Sequence, residues 1–185
     1  MYEVEVKVRA DHGVVRERLE EVGATQVNRV TQTDTYYDAP HKDFAETDEA
    51  LRLRRESRYD GDDVVAEETN VTYKGPLVDE SSKTRREYET SVEDGETMDA
   101  ICNAVGFEPA ATVEKDRERF SLDGYTVSLD AVSGLGEFVE VEVEVESGVD
   151  EAREGAFSVL HELGVDPDDQ IRTSYLGMLL GAPEE

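Results

Sequence analysis

Valines recur at every second position through Val4, Val6 and Val8, with Glu3, Glu5, Lys7 and Arg9 between them. In an extended strand that spacing sends the valines to one face and the charges to the other. The device returns near the other terminus, where Val139, Val141, Val143 and Val145 alternate with Glu140, Glu142, Glu144 and Glu146. Alternation or extended character also marks 25–38, 50–56, 64–74, 84–93, 112–120 and 124–132, so 2–9 and 136–146 bring the expected strands to eight. Helical spacing is confined to four stretches. Asp11 is placed to cap a helix through Val15, Leu19 and Val22 that Gly23 stops, and Asp94 or Thr97 to cap one near 96–105. Patterns over 150–163 and 170–180, split by Pro167, complete the set. The Asp- and Gly-rich segment 57–63 reads as a hairpin loop, and Pro40 and Gly75-Pro76 as breaks.

Eight strands at regular spacing, with no internal repeat of 20 to 50 residues, predict an α+β fold. Its centre would be a closed or nearly closed antiparallel β-barrel with helices packed outside. The whole chain, 1–185, reads as one domain that includes the C-terminal helices 150–180. Such a barrel would carry valine outside under the helices and charge within. A charged interior calls for a charged ligand.

Charge sharpens that expectation. The chain holds 46 Asp plus Glu against 19 Lys plus Arg, a formal net charge of -27. That balance argues against binding nucleic acid as a bulk polyanion. Regular alternation speaks against disorder, so the acidity is read as adaptation to high salt. With so few cations, about two pairs spaced i,i+2 are expected by chance. The chain has them at 7/9, 16/18, 52/54, 83/85, 115/117 and 117/119, and all but 16/18 fall in strand-like segments. Cys102 stands alone in an apolar helical stretch and reads as core. No segment resembles a signal peptide or a membrane span, which predicts a cytoplasmic protein with no membrane partner.

Two sets of residues carry candidate chemistry. Glu3, Glu5, Glu140 and Glu142 lie at i,i+2 spacing on two strands, and carboxylates so arranged suit a hard divalent ion that also takes phosphate oxygens. Asp130 shares the charged parity of its strand. Glu144 and Glu146 are assigned to a solvated acidic face. Lys7, Arg9, Arg52, Arg54, Lys74, Lys83, Arg85, Lys115, Arg117 and Arg119 form the second set. Each alone could serve a surface ion pair worth little, but together they suit a clamp on phosphoryl groups. His12, His41 and His161 lack zinc-ligand spacing, and neither a P-loop nor a dinucleotide fingerprint is present. Tyr36, Tyr37 and Tyr175 read as core or rim aromatics.

These residues, taken in order, resemble a known family. Glu3-x-Glu5-x-Lys7 is similar to the opening signature of the CYTH superfamily, the triphosphate tunnel enzymes. Tyr36-Tyr37-Asp38, Leu51-Arg52-Leu53-Arg54, Thr72-Tyr73-Lys74-Gly75 and Arg85-x-Glu87-x-Glu89 follow in family order. Val113-x-Lys115-x-Arg117, Leu129-Asp130 and Gly134-Leu135-Gly136-x-Phe138-x-Glu140-x-Glu142 complete the match. Arg86 departs from the pattern, standing where many relatives carry an acid. The opening and Ser174-Tyr175-Leu176 resemble the class IV adenylyl cyclase branch. That resemblance implies an eight-stranded tunnel enclosing a triphosphate such as ATP. It implies Mg2+ or Mn2+ on Glu3, Glu5, Asp130, Glu140 and Glu142, and phosphates on Lys7, Arg9, Arg52, Arg54, Lys74, Arg85, Lys115 and Arg117. Glu5, Lys7, Lys115 and Glu140 would be catalytic, and a homodimer stays open. The cyclase reaction, ATP to cyclic AMP and pyrophosphate, is the expected one. Hydrolysis of inorganic, thiamine or nucleoside triphosphate is the alternative, and a silent polyphosphate- or nucleotide-binding module a third reading.

Overall fold

The structure, a computed structural model, describes residues 2–77 and 85–182. Eight antiparallel strands close into a barrel in the order β1-β5-β4-β3-β2-β6-β7-β8. They are β1 (Tyr2–Arg9), β2 (Thr25–Asp38), β3 (Ala50–Asp60), β4 (Asp63–Leu77), β5 (Arg85–Val92), β6 (Glu108–Leu122), β7 (Tyr125–Val132) and β8 (Gly136–Val145). The helices are α1 (His12–Glu21), α2 (Phe44–Thr47), α3 (Gly95–Ala104), α4 (Val149–Glu162) and α5 (Tyr175–Leu179). No helix among the described residues is long and apolar enough to cross a membrane.

Parity decides what the barrel holds. The outward residues Val6, Val8, Val127, Leu129, Val139 and Val141 pack against Val15 and Leu19 of α1 and Ala156, Val159 and Leu160 of α4. Burying such side chains is the main stabilising contribution to the fold, at about 25 cal/mol per Å². Gly155 permits the close seating of α4: a Cβ there would lie 1.8 Å from the Tyr125 hydroxyl, which donates to the Ala152 carbonyl at 3.1 Å. The inward parity carries the charges. At one end it turns apolar, and Val113, Val132 and Phe138 pack against Ile171, Tyr175 and Met178 from the C-terminal segment.

The caps fall where the sequence places them, Asp11 on α1 and Asp94 on α3, and Cys102 is buried. Several boundaries differ from the expected ones. The loop expected over 57–63 is a tight turn, since β3 runs to Asp60 and β4 resumes at Asp63. Only Gly61, at φ 60°, needs left-handed backbone, and exposed charges do not break a ladder. Gly75-Pro76 does not end β4. A register shift between Lys74 and Leu77 accommodates the proline, which has no N–H to contribute. The helix expected over 170–180 shrinks to α5, because Ile171 N donates to the Lys7 carbonyl at 2.7 Å and ties the preceding backbone to β1. Ser174 then caps α5 by accepting from Gly177 N. Lys83 lies outside the described residues, as does residue 84 of the expected fifth strand.

Candidate active site

A cavity of about 330 Å³ runs inside the barrel. Its walls carry the cations Arg52, Arg54, Lys74, Arg85, Lys115, Arg117 and Arg119. They also carry the carboxylates Glu3, Glu5, Asp48, Glu49, Glu87, Glu89, Glu140, Glu142 and Glu144. Apolar surface comes from Tyr36, Ala50, Tyr175 and Leu176.

Strand register sorts these charges. Glu5 faces Glu142 and Glu3 faces Glu144 across β1 and β8. Carboxylate oxygens of Glu3, Glu5 and Glu142 come within 4.8 Å of one another. Burial, followed by repulsion from Glu87, Glu142 and Glu5, pushes Glu3 up to about 7 although Lys74 lies 3.7 Å away. Burial and the neighbouring Glu140 and Glu5 also raise Glu142. Three convergent carboxylates, of which Glu3 and Glu142 resist shedding their protons, suit a hard divalent cation, whose charge would reverse the repulsion. No thiol or imidazole joins them among the described residues, which favours Mg2+ or Mn2+ over a softer ion.

The adjoining wall, on β6, β7 and β8, is arranged otherwise. Arg117 grips Asp130 with both arms of its guanidinium, at 2.6 and 2.5 Å, and also donates to Glu140. Lys115 lies 3.4 Å from the same Asp130. Burial and the adjacent Arg117 bring Lys115 down to about 8 despite that carboxylate. On β2 and β3, Arg54 holds Asp34 bidentately at 2.6 Å on each arm, and Arg52 stands 3.7 Å from it. Burial works to raise Asp34, but Arg54 and Arg52 hold it well below the usual carboxylate range. Arg119 binds Glu56 at 3.0 Å, Lys74 pairs with Glu87, and Arg85 reaches Asp48 at 3.1 Å.

Most expected site residues therefore meet in one cavity, but not all. Arg9, expected among the phosphate ligands, is exposed at the barrel end, where it donates to the Leu135 carbonyl and lies over the Phe138 ring. The tilt of β1 carries it past the cavity. Lys7 is buried, donates to the Thr173 carbonyl at 2.5 Å, and sits 4.3 Å from the Tyr175 ring centroid, with Tyr175 rather than Lys7 on the cavity wall. Asp130 is fully buried behind Arg117. Glu144, assigned above to a solvated face, is exposed, and it also stands at the cavity wall in register with Glu3. Asp34 and Glu56 were not singled out. Their parity with Tyr36 and Arg54 was the available signal, one that acids in so acidic a chain cannot advertise. Asp48 and Glu49, carried in by the short helix α2 and the turn after it, had none.

A model of the CYTH domain matches residues 1–175. A Methanocaldococcus jannaschii protein named "putative adenylate cyclase" is 38% identical over 179 residues, covering 95% of this chain and 97% of that protein. The solved structure of the PH1819 protein from Pyrococcus horikoshii superposes with a TM-score of 0.88 at 37% identity, covering 96% of this chain and 98% of that one. A Hippeastrum protein, described as a "putative adenylyl cyclase" that reveals a dominant triphosphatase activity, shares the fold at 14% identity. Its TM-score is 0.62, and the match covers 89% of this chain and 88% of that one.

Proposed function

The chain belongs to the CYTH domain family, and from that premise we propose that it is a divalent-metal-dependent enzyme that cleaves a triphosphate held inside its barrel. The observation that carries this reading is the meeting of two unlike charge sets in one cavity, the facing acids Glu3, Glu5 and Glu142 and the seven cations. Carboxylates outnumber cations there nine to seven, so a bare polyanion gains little on entry. A triphosphate accompanied by a cation fits both sets.

In this reading Glu3, Glu5 and Glu142 hold Mg2+ or Mn2+, which when bound polarises phosphoryl oxygens and lowers the pKa of the nucleophile. Arg52, Arg54, Lys74, Arg85, Lys115, Arg117 and Arg119 bind and orient the phosphates and neutralise charge as it develops. Asp130 and Glu140, which the resemblance would count as metal ligands, hold Arg117 and Lys115 in position. Lys7 acts through the C-terminal segment it grips, which supports reading residues 1–185 as one domain.

For the reaction we propose adenylyl cyclisation, supported by the name of the M. jannaschii relative. The ribose 3′-hydroxyl would release its proton to water as its oxygen bonds to the α-phosphorus, while the α–β bridging bond breaks and pyrophosphate leaves with the electron pair. One observation favours the second reading, hydrolysis of a triphosphate: among the described residues the cavity offers only Tyr36, Ala50, Tyr175 and Leu176 as apolar surface for a purine. The test incubates the protein with ATP and with tripolyphosphate under Mg2+ and Mn2+, in low and molar salt. Cyclic AMP with equimolar pyrophosphate supports the cyclase. Orthophosphate without cyclic product makes it a triphosphatase, and no turnover in any arm ends the reading.

A further inference from the structure

Tyr175, the first residue of α5, enters the barrel from the C-terminal segment and lines the cavity. Its ring is held on several sides. Phe138 meets it edge-on at 5.0 Å between centroids, and the ammonium groups of Lys7 and Lys115 lie 4.3 and 5.1 Å from its centroid. Ring placement is therefore settled by packing and cation–π attraction, without help from the hydroxyl. The hydroxyl itself is enclosed and has no hydrogen-bond partner among the described residues. Tyrosine is seldom buried with its hydroxyl unmatched.

The surroundings say what it waits for. Burial, then the charges of Glu140, Asp130 and Glu5 against that of Arg117, push the phenol well above its ordinary range, so it is a neutral donor at any working pH. Of the charges that act on it, Glu140, Asp130 and Arg117 belong to one paired wall, where Arg117 grips both acids, and Glu5 to the acidic cluster. We propose that the Tyr175 hydroxyl is a substrate-binding group that donates a hydrogen bond to a phosphoryl oxygen of the bound triphosphate, so that the C-terminal segment supplies part of the site. This rests on the reading of the barrel as a triphosphate site. It assigns to that site a donor whose charge state, unlike that of Lys115, does not change between pH 6 and 9.

Tyr175→Phe keeps the ring and removes only the donor, so stability and affinity should move in opposite directions. Removing an enclosed, unmatched hydroxyl should raise the melting temperature of the ligand-free protein, by about 2–4 °C. Affinity for tripolyphosphate with Mg2+, measured by calorimetry, should fall about 10- to 100-fold, as for the loss of one bond to a charged acceptor. Tyr175→Leu, which also removes the ring contacts, should lower both. Wild-type protein that binds tripolyphosphate together with an unchanged affinity in Tyr175→Phe would overturn the proposal alone and leave the triphosphate site standing. A Tyr175→Phe protein that loses stability and affinity together would make the hydroxyl structural, which also overturns it. Wild-type protein that fails to bind tripolyphosphate with Mg2+ would remove the functional reading and this proposal with it.

Discussion

Asp34 and Asp130 are carboxylates inside the same barrel as Glu3 and Glu142, yet the two pairs live in opposite circumstances. Each aspartate faces the fork of an arginine, Arg54 or Arg117, and two well-aligned bonds hold it ionised. Each glutamate has other glutamates as close neighbours, and both are pushed toward protonation. The first arrangement is complete when the cavity is empty, so it fixes the shape of the site. The second becomes favourable only when a cation arrives, so it is where ligand binding and stability are coupled.

Breaking the paired wall should have the largest effect. Asp130→Ala takes from buried Arg117 its bidentate partner, leaving it Glu140 alone, and from Lys115 its neighbouring carboxylate, and should destabilise the protein by about 3–5 kcal/mol, read from denaturant unfolding. Arg18→Ala, which together with its partner Glu21 is exposed on α1, should cost under about 1 kcal/mol. Comparable losses from the two would mean that net charge, not the buried pairing, decides stability. The acidic rim gives the next effect. Mg2+ or Mn2+ at about 100 times its dissociation constant should stabilise the protein by about 2.7 kcal/mol. Glu5→Ala or Glu142→Ala should remove most of that gain and abolish turnover. A metal-induced rise in melting temperature that survives both substitutions would place the ion elsewhere.

Lys115 offers a cleaner probe of phosphate binding than Arg117, because Asp130 keeps its arginine when the lysine is cut back. Lys115→Ala should weaken tripolyphosphate binding by about 1–3 kcal/mol. Since the free lysine titrates near 8, wild-type affinity should fall as pH rises through that value, and the variant should lose this step. The smallest effect separates the two carboxylate groups by pH. Glu3 has a raised folded pKa, about 7 against an ordinary 4.5. Its contribution is therefore fully present below 4.5 and is lost as pH rises through 7. The metal-free protein should become slightly more stable as pH falls from about 7 to 4.5, and saturating metal should erase the trend. Asp34, lowered by its arginines, has the opposite sign and weakens the fold only at more acidic pH. Unfolding curves at several pH values, with and without metal, test both; a metal-free protein that loses stability over 7 to 4.5 would contradict the assignment for Glu3.

Strand count, barrel class, inward charge and outward valine were all legible in the chain, because strand parity is a local property that two-residue spacing records directly. Glu3, Glu5, Lys115 and Arg117 could be chosen from that parity together with the family motif. Helix caps at Asp11 and Asp94 were equally local. Pairing was not. Arg117 meets Asp130 because β6 and β7 align in one register, and Glu144 joins the cavity because β8 sets it opposite Glu3. Arg9 shares the inward parity of Glu5 yet lies beyond the cavity, since parity gives the face of a strand and not the height along a tilted barrel. Tyr175 reaches the site only because the tail folds back onto β1. The sequence by itself thus determined which face each charge takes. Which charges neutralise one another, which must await a cation, and which tyrosine from a distant segment joins them depended on register and closure between residues far apart in the chain, and only the tertiary structure decided that.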